Sequence, residues 1–370
     1  MQKRDLSTVI DQALAGADRG DPARALAARN FLDPGSGVTR YLVGRNAQSE
    51  VLVGLLPIAG LVDDRAQPGS LWQGVPTLRM NELPPDAWVL NASTSISPVS
   101  VARALERAGH GQVLSLADLL AASDCPADLM PDFVQDQRAE VAAHRQAWCD
   151  IHARLADDES RHVLQDVVRF RLSADATCMA DYSVRFADQY FEDFLGLHQE
   201  AFVDAGGFDG DTTEQFCRRV PDYRRVWFFE PSPLNMAAAR KRLAGFSNIE
   251  FMQVGLSDVA GDLCFDASSG SASSVSDAGG DSIRVDRLDD LVGEPVTFIK
   301  MDLEGWEMHA LAGAAEQIRR NRPKLAISVY HQASHFREVF GFVLGLCPDY
   351  RVRLRHYTEG WSETVMFFNV

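Results

Sequence analysis

Between Arg40 and about Leu120 the chain alternates short apolar runs with polar turns: RYLVG, GLVDD, AWVLNAS and QVLSL. Runs of Val, Leu and Ile bounded by Gly and Pro, without polar alternation inside them, are the pattern of parallel strands separated by crossovers and buried on both faces. They predict a small Rossmann-like half-domain. From about Pro131 to Leu197 the period changes, and DFVQDQRAEVAAHRQAWCDIHARLADDESRHVLQDVVRFRL carries the helical spacing of a connector. From Ala201 a second alternating unit begins, with strand-like runs AFVDAGG, RVWFFEP, IEFMQVGLSD, TFIKMD, KLAISVYH, YRVRLRHY and ETVMFFNV. Only the short turn TEGWS joins the last two, which predicts an antiparallel hairpin at a sheet edge.

These changes of pattern predict an α/β protein in three parts. A small Rossmann-like α/β domain spans 1–130, a helical connector 131–198, and a larger domain 199–370. The last has the layout of a class I methyltransferase, a mainly parallel seven-stranded sheet with an antiparallel terminal hairpin. A length of 370 residues suits two domains at about 150 residues each. The balance of 36 Lys and Arg against 52 Asp and Glu, net −16, disfavours non-specific binding to nucleic acid or an anionic membrane. The six cysteines are scattered without a CxxC pair, as in reduced cytosolic proteins. The N-terminal segment reads as an amphipathic helix rather than a signal peptide, and no apolar run reaches the length of a membrane span. A cytoplasmic protein is expected, and its oligomeric state is not legible.

Each alternating unit has a turn where an open sheet binds ligands, at the carboxyl ends of its strands. In the first, Gly44-Arg45-Asn46-Ala47-Gln48-Ser49 stands where a dinucleotide fingerprint would, with Asn46 and Ser49 replacing the glycines that admit a pyrophosphate and a close helix. Asp63 holds the place of the ribose-binding acid, yet tight NAD binding is not expected. In the second, Val203 and Asp204 lead into Ala205-Gly206-Gly207-Phe208-Asp209-Gly210-Asp211-Thr212. The glycines let backbone approach a ligand, the acidic strand end suits a positive amino group or sulfonium, and the Lys of a phosphate cradle is missing. The second strand ends in Glu230, whose carboxylate can accept from both ribose hydroxyls, and the third in Ser257-Asp258, where Asp can accept from an adenine amino group. Together these describe an adenosine laid across the sheet edge.

VDAGGFDGDT, FFEPSP, GLSD, VDRLDDL, TFIKMDLEGWE, ALAGAAE, RPKLAISVYH and LRHYTEGWSETV resemble, in order, the motifs of the FkbM family of S-adenosylmethionine-dependent methyltransferases, and QYFEDF resembles its lead-in segment. The resemblance covers about Gln189 to Val370. It implies S-adenosylmethionine as cofactor, with Asp204, Gly206, Gly207 and Gly210 at its methionine end, Glu230 at the ribose, Ser257 and Asp258 at the adenine, and Asp302 near the sulfonium. It implies O-methylation of a sugar, glycan or polyketide hydroxyl. A base must then lie within hydrogen-bond reach of that hydroxyl. His331, directly after the fifth strand, has the unperturbed pKa best matched to the task. Asp302, followed by Glu304, is the second candidate, and transfer by positioning alone is the third. Tyr190, His356 and Tyr357 are expected to hold the acceptor. Asp302 and Glu304 do not make a complete metal-ligand set, so no metal ligands are assigned. The stretch 266–281, rich in Ser, reads as a connector or as a flap beside the site. Two other functions stand against methyl transfer: a nucleotide-sugar oxidoreductase or sugar-binding scaffold using the first turn, and a silent adenosyl-binding module.

Overall fold

The computed structural model describes residues 5–16, 21–67, 69–122, 125–266, 274–275 and 281–370. The chain forms two compact units, one of residues 1–152, 162–184 and 357–362, the other of 153–161, 185–356 and 363–370. The sequence-based boundaries at 130 and 198 therefore do not coincide with this division. The helical reading of 131–198 holds for Asp132–Arg154 and Asp158–Ser173, whereas beyond Ser173 the chain makes short 3-10 turns such as Asp193–Leu195.

In the first unit the expected strands form β1 (Arg40–Val43), β2 (Ile58–Val62), β5 (Trp88–Asn91) and β6 (Val113–Ser115), and a two-strand excursion adds β3 (Leu71–Trp72) and β4 (Val75–Leu78). The sheet order is β3-β4-β2-β1-β5-β6, parallel except for the β3–β4 edge hairpin. Both faces are apolar: Leu42, Leu61, Leu90 and Leu114 pack on one side, and Tyr41, Val43, Val62 and Val89 on the other. That two-sided burial is why these strands read as unbroken apolar runs. Residues 357–362 complete this unit. Glu359 N donates to Ile96 O at 2.8 Å, and the Glu359 carboxylate accepts from Ser100 N at 2.7 Å. A Cβ at Gly360 would stand 2.1 Å from Thr94 O, so only glycine fits this approach.

The second unit is built on β7 (Ala201–Ala205), β8 (Arg225–Phe229), β9 (Ile249–Met252), β14 (Phe298–Met301), β15 (Lys324–Ser328), β16 (Arg351–His356) and β17 (Thr364–Asn369), in the order β16-β17-β15-β14-β7-β8-β9. The strands from β15 to β9 run parallel, and β17 pairs antiparallel with both β15 and β16, as the seven apolar runs predict. Phe202 and Phe216 (ring centroids 4.2 Å apart) and Phe202 and Phe298 (4.9 Å) anchor the core. The third run splits where the sequence suggests one strand. Gly255–Leu256 forms β10, which joins β11 (Gly261–Asp266), β12 (Ser274–Val275) and β13 (Asp281–Asp286) in a second sheet, β10-β13-β11-β12. Apart from strand residues 266, 274–275 and 281, the proposed connector or flap lies outside the described residues. Parallel pairing of β7, β8, β14 and β15 brings their carboxyl ends to one edge, where ligands of open α/β sheets bind.

Candidate active site

The turn after β7 is shaped by protein packing. Gly206 has φ +75°, and a Cβ there would stand 1.9 Å from Asp302 O; one at Gly207 would meet the Phe228 ring at 2.1 Å. The missing side chains thus let the ends of β14 and β8 close on the turn, and Asp302 N donates to Ala205 O at 3.1 Å. Gly210 (φ +86°) caps the helix Asp211–Arg219. Asp204 is wholly buried below this turn, 3.1 Å from Lys300 Nζ and accepting from Thr213 Oγ1 at 2.6 Å. Burial pulls the Lys300 ammonium down, but the charges of Asp204 and Asp302 more than offset it and hold it above its ordinary range.

Above the turn lies a cavity of about 420 Å³. One end is apolar, lined by Leu256, Ile283, Val285 and Trp306. Glu230 lines it too, its carboxylate accepting from Ser232 N at 2.8 Å and Phe208 N at 3.0 Å. Burial pushes this carboxyl up, and the two backbone donors only partly offset the effect. The other end holds Tyr190, Lys300, Asp302, Glu304, Tyr330 and Glu363. Four lining residues, Tyr190 (φ +71°), Phe208 (+48°), Glu304 (+51°) and Glu363 (+65°), hold left-handed backbone without being glycine. Such conformations are costly and gather at functional sites.

Carboxylates converge at this polar end. Tyr190 donates to Asp302 Oδ2 at 2.6 Å and Tyr330 to Oδ1 at 3.4 Å. His331, only 8% exposed, has Nε2 at 3.2 Å from Glu304 Oε2 and 3.5 Å from Asp302 Oδ1, and Nδ1 at 2.9 Å from Glu307 Oε1. Burial works against the imidazolium, but the charge of Glu307, with contacts to Glu304 and the charge of Asp302, raises it well above the ordinary histidine range. Glu307 is fully buried, which alone would raise it, yet His331 and His335 hold it well below the usual carboxylate range. Glu363 is pushed up to about 7, by burial first and then by the charge of Asp302, and it accepts from Gln189 Nε2 at 2.6 Å.

The structure brings Tyr190, Gly206, Glu230, Asp302 and Glu304 of the expected set to this cavity, with His331 touching Asp302 and Glu304. It places others elsewhere. Asp204 lies beneath the turn, and Gly207 and Gly210 belong to the turn and shape it without lining the cavity. Ser257 is buried and accepts from Trp306 Nε1 at 3.3 Å, while Asp258 is half-exposed and paired with His309 at 3.2 Å, so neither lines the cavity. His356 and Tyr357 are buried rather than presented at a rim; His356 Nδ1 lies 2.9 Å from Thr364 Oγ1, and Tyr357 belongs to the first unit. His331 does not stand free before the cavity: its ring nitrogens face Glu307, Glu304 and Asp302 at 2.9, 3.2 and 3.5 Å. Sequence reasoning missed Lys300, Glu307, Tyr330 and Glu363. A lysine inside the apolar run TFIKMD and a third carboxylate closing DLEGWE were the available signals.

Residues 204–354 match the methyltransferase FkbM domain family. Among solved structures, methyltransferase FkbM from Methylobacillus flagellatus KT is 25% identical with a TM-score of 0.75, over 99% of this chain and 100% of that one. An rRNA methylase from Streptococcus thermophilus (21% identity, 48% of this chain, 90% of that chain, TM-score 0.33) and Aeropyrum pernix fibrillarin in complex with natively bound S-adenosyl-L-methionine (12%, 48%, 71%, 0.32) are more distant. No curated protein matches the sequence. Both the motif series and the seven-stranded sheet agree with this match: residues 204–354 carry the methyltransferase FkbM domain, on a fold shared with the Methylobacillus flagellatus protein.

Proposed function

We propose that the protein transfers the methyl group of S-adenosylmethionine to a hydroxyl of a sugar, glycan or polyketide-type acceptor, within the cavity of the second unit. The observation that carries this reading is one cavity joining an apolar end and the Glu230 carboxylate to a carboxylate-rich end. The residues fit the cofactor. Glu230 Oε1 accepts from Ser232 N and, at 3.4 Å, from Asn235 Nδ2, while Oε2 accepts from Phe208 N alone, which leaves acceptor capacity for a ribose hydroxyl on Oε2. Leu256, Ile283, Val285 and Trp306 supply apolar walls for a purine, and the acidic far end suits a sulfonium. Bound there, S-adenosylmethionine supplies an electrophilic methyl, which an oxygen nucleophile takes as the S–CH₃ bond breaks.

The remaining work falls to the chain. Asp302, fixed by Tyr190 and Tyr330, orients the acceptor hydroxyl, and its charge favours the cationic donor. Glu363, on strained backbone and anchored by Gln189, accepts the hydroxyl proton as the O–CH₃ bond forms. His331 acts on Asp302 and Glu304, holding their carboxylates in place. The test is calorimetry with S-adenosylmethionine and its demethylated product, followed by mass spectrometry of sugar and polyketide acceptors for a gain of one methyl. Binding by wild type with loss in Glu230→Ala supports the reading. Failure of either nucleoside to bind overturns it.

A further inference from the structure

Asp302, Glu304 and His331 each turn one ligand atom toward a common point, all within 4.8 Å of one another. The Nε2 separations of 3.2 Å to Glu304 and 3.5 Å to Asp302 are those of neighbouring ligands around one cation, since bonds of about 2.0–2.2 Å at tetrahedral to octahedral angles put adjacent donors about 2.8–3.6 Å apart. Neither ring nitrogen of His331 makes an aligned hydrogen bond, although the side chain is only 8% exposed. The ring therefore stands buried with Nε2 near two carboxylate oxygens, in ion-pair contact with them but without an aligned hydrogen bond.

The surroundings match those of a metal-bound imidazole. A carboxylate behind the ring fixes the orientation of a ligating histidine and raises its basicity. Glu307 holds that place, 2.9 Å from Nδ1, and is itself fixed by Leu303 N at 2.7 Å. Asp302 is supported in the same way, with Oδ2 tied to the Tyr190 hydroxyl at 2.6 Å and Oδ1 on the side of His331. Glu304 reaches the cluster from left-handed backbone, φ +51°. Formal charge points the same way: Asp302, Glu304 and Glu307 face two imidazoles, His331 and, at 3.2 Å from Glu307 Oε2, His335, so the three carboxylates outnumber the imidazoles even if both carry a proton.

We propose that Asp302, Glu304 and His331 form a binding site for a divalent cation of the Mn²⁺ class, with its open positions facing the cavity. Two carboxylates and one imidazole are a mixed oxygen and nitrogen set of the kind that first-row divalent ions accept. Cation binding stands on this geometry alone; its role rests on the function proposed above. There the cation ligates the acceptor oxygen and lowers the pKa of its hydroxyl, so that the proton passes to Glu363 as the oxygen takes the methyl.

The test uses the full chain and Mn²⁺ alone, followed by calorimetry and by the loss of the free-ion electron paramagnetic resonance signal. Wild type should bind one Mn²⁺ per chain, and His331→Ala and Glu304→Gln should each weaken it by about 10-fold or more. Glu307→Gln, changing a positioning residue, should weaken it about 10- to 100-fold. Glu304 is partly exposed, so Glu304→Gln keeps the test decisive if the buried variants unfold. Absence of Mn²⁺ binding at about 1 mM, or affinity unchanged in Glu304→Gln and His331→Ala, overturns the site. S-adenosylmethionine titrated into the same samples separates the two readings: loss of nucleoside binding with Mn²⁺ binding intact removes the proposed methyl transfer and keeps the cation site, and the reverse removes the cation site alone.

Discussion

The two units each build a glycine turn at the carboxyl end of a central parallel strand, and the cavity described above lies beside the second. After β1, Ser49 Oγ donates to Gly44 O at 2.7 Å, Asn46 Nδ2 to Ala92 O at 2.6 Å, and Asn46 Oδ1 caps Ser49 N at 2.9 Å. The residues that replace the fingerprint glycines thus consume the polar groups of their own turn. Asp63, the candidate ribose acid, is taken by Arg45 at 2.6 Å. After β7 the glycines have no side chains with which to fill the turn, and acidic residues from three other segments, Glu304 and Glu363 among them on left-handed backbone, line the cavity beside it. An open-sheet edge becomes a site when its acceptors are left partly unspent, and the same topology with self-satisfied side chains is a structural joint.

The sharpest test of that contrast pairs strand-end residues from each sheet. His331→Ala should lower turnover by about 100-fold by releasing Asp302 and Glu304, while S-adenosylmethionine affinity stays within a few-fold, because the proposed adenosine contacts come from other strands. Asn91, at the end of β5, bonds Pro98 O at 2.8 Å and accepts from Ser93 N at 3.1 Å. Asn91→Ala should cost about 1 to 3 kcal/mol of stability and leave cofactor affinity unchanged. Chemical denaturation and calorimetry on both proteins read the two effects. Equal loss of cofactor affinity in both would erase the distinction.

Glycine substitutions come next in size. Gly206→Ala must place a Cβ 1.9 Å from a backbone carbonyl at φ +75°, and should cost about 3 kcal/mol or more, with loss of cofactor binding. At Gly44 (φ +105°) the nearest atom is Ser93 N at 3.0 Å, so Gly44→Ala should cost about 1 to 3 kcal/mol and spare binding. Thermal unfolding with and without S-adenosylmethionine checks both, since ligand-dependent stabilisation should vanish only in Gly206→Ala. Smaller still is Glu230→Ala, expected to weaken S-adenosylmethionine by about 1.5 to 3 kcal/mol by removing a charged acceptor. Unchanged affinity would free Glu230 from the ribose role.

Much of this arrangement is legible in the residues. Strands buried on both faces announce themselves as apolar runs, and the order of the runs with one tight terminal turn gives the sheet. Tyr190, Glu230, Asp302, Glu304 and His331 are legible because each sits just outside such a run or beside one. Glu363 is not, because its place depends on register. Ser328 pairs with Val365, and continuing that antiparallel ladder sets Glu363 opposite Tyr330. His356 and Tyr357 mislead for the converse reason: the sequence marks a hairpin tip, but residues 357–362 pack with the chain around Thr94 and Ser100 instead of lining the cavity. Gly207 and Gly210 signal a tight turn correctly, yet what they avoid is Phe228 and Leu243, contacts that only the folded chain supplies.

The smallest expected effect tests whether the first turn is closed by its architecture or merely masked. Arg45 and Asp63 are 43% and 23% exposed, and an ion pair this wet contributes about 0 to 1 kcal/mol. Arg45→Ala should therefore move the unfolding midpoint little and leave S-adenosylmethionine affinity as it was. It also releases Asp63 Oδ2, the acid that with Gly44 is retained from a dinucleotide fingerprint, while Oδ1 still accepts from Arg65 N at 2.9 Å. Asn46 and Ser49 still fill the places where glycines would admit a pyrophosphate, so NADH fluorescence titration should show no saturation in either wild type or Arg45→Ala. Saturation at low micromolar NADH in the variant alone would mean that Arg45 masks a working site. Saturation in wild type would mean that the Asn46 and Ser49 bonds rearrange on binding, and would restore the oxidoreductase reading for the first unit.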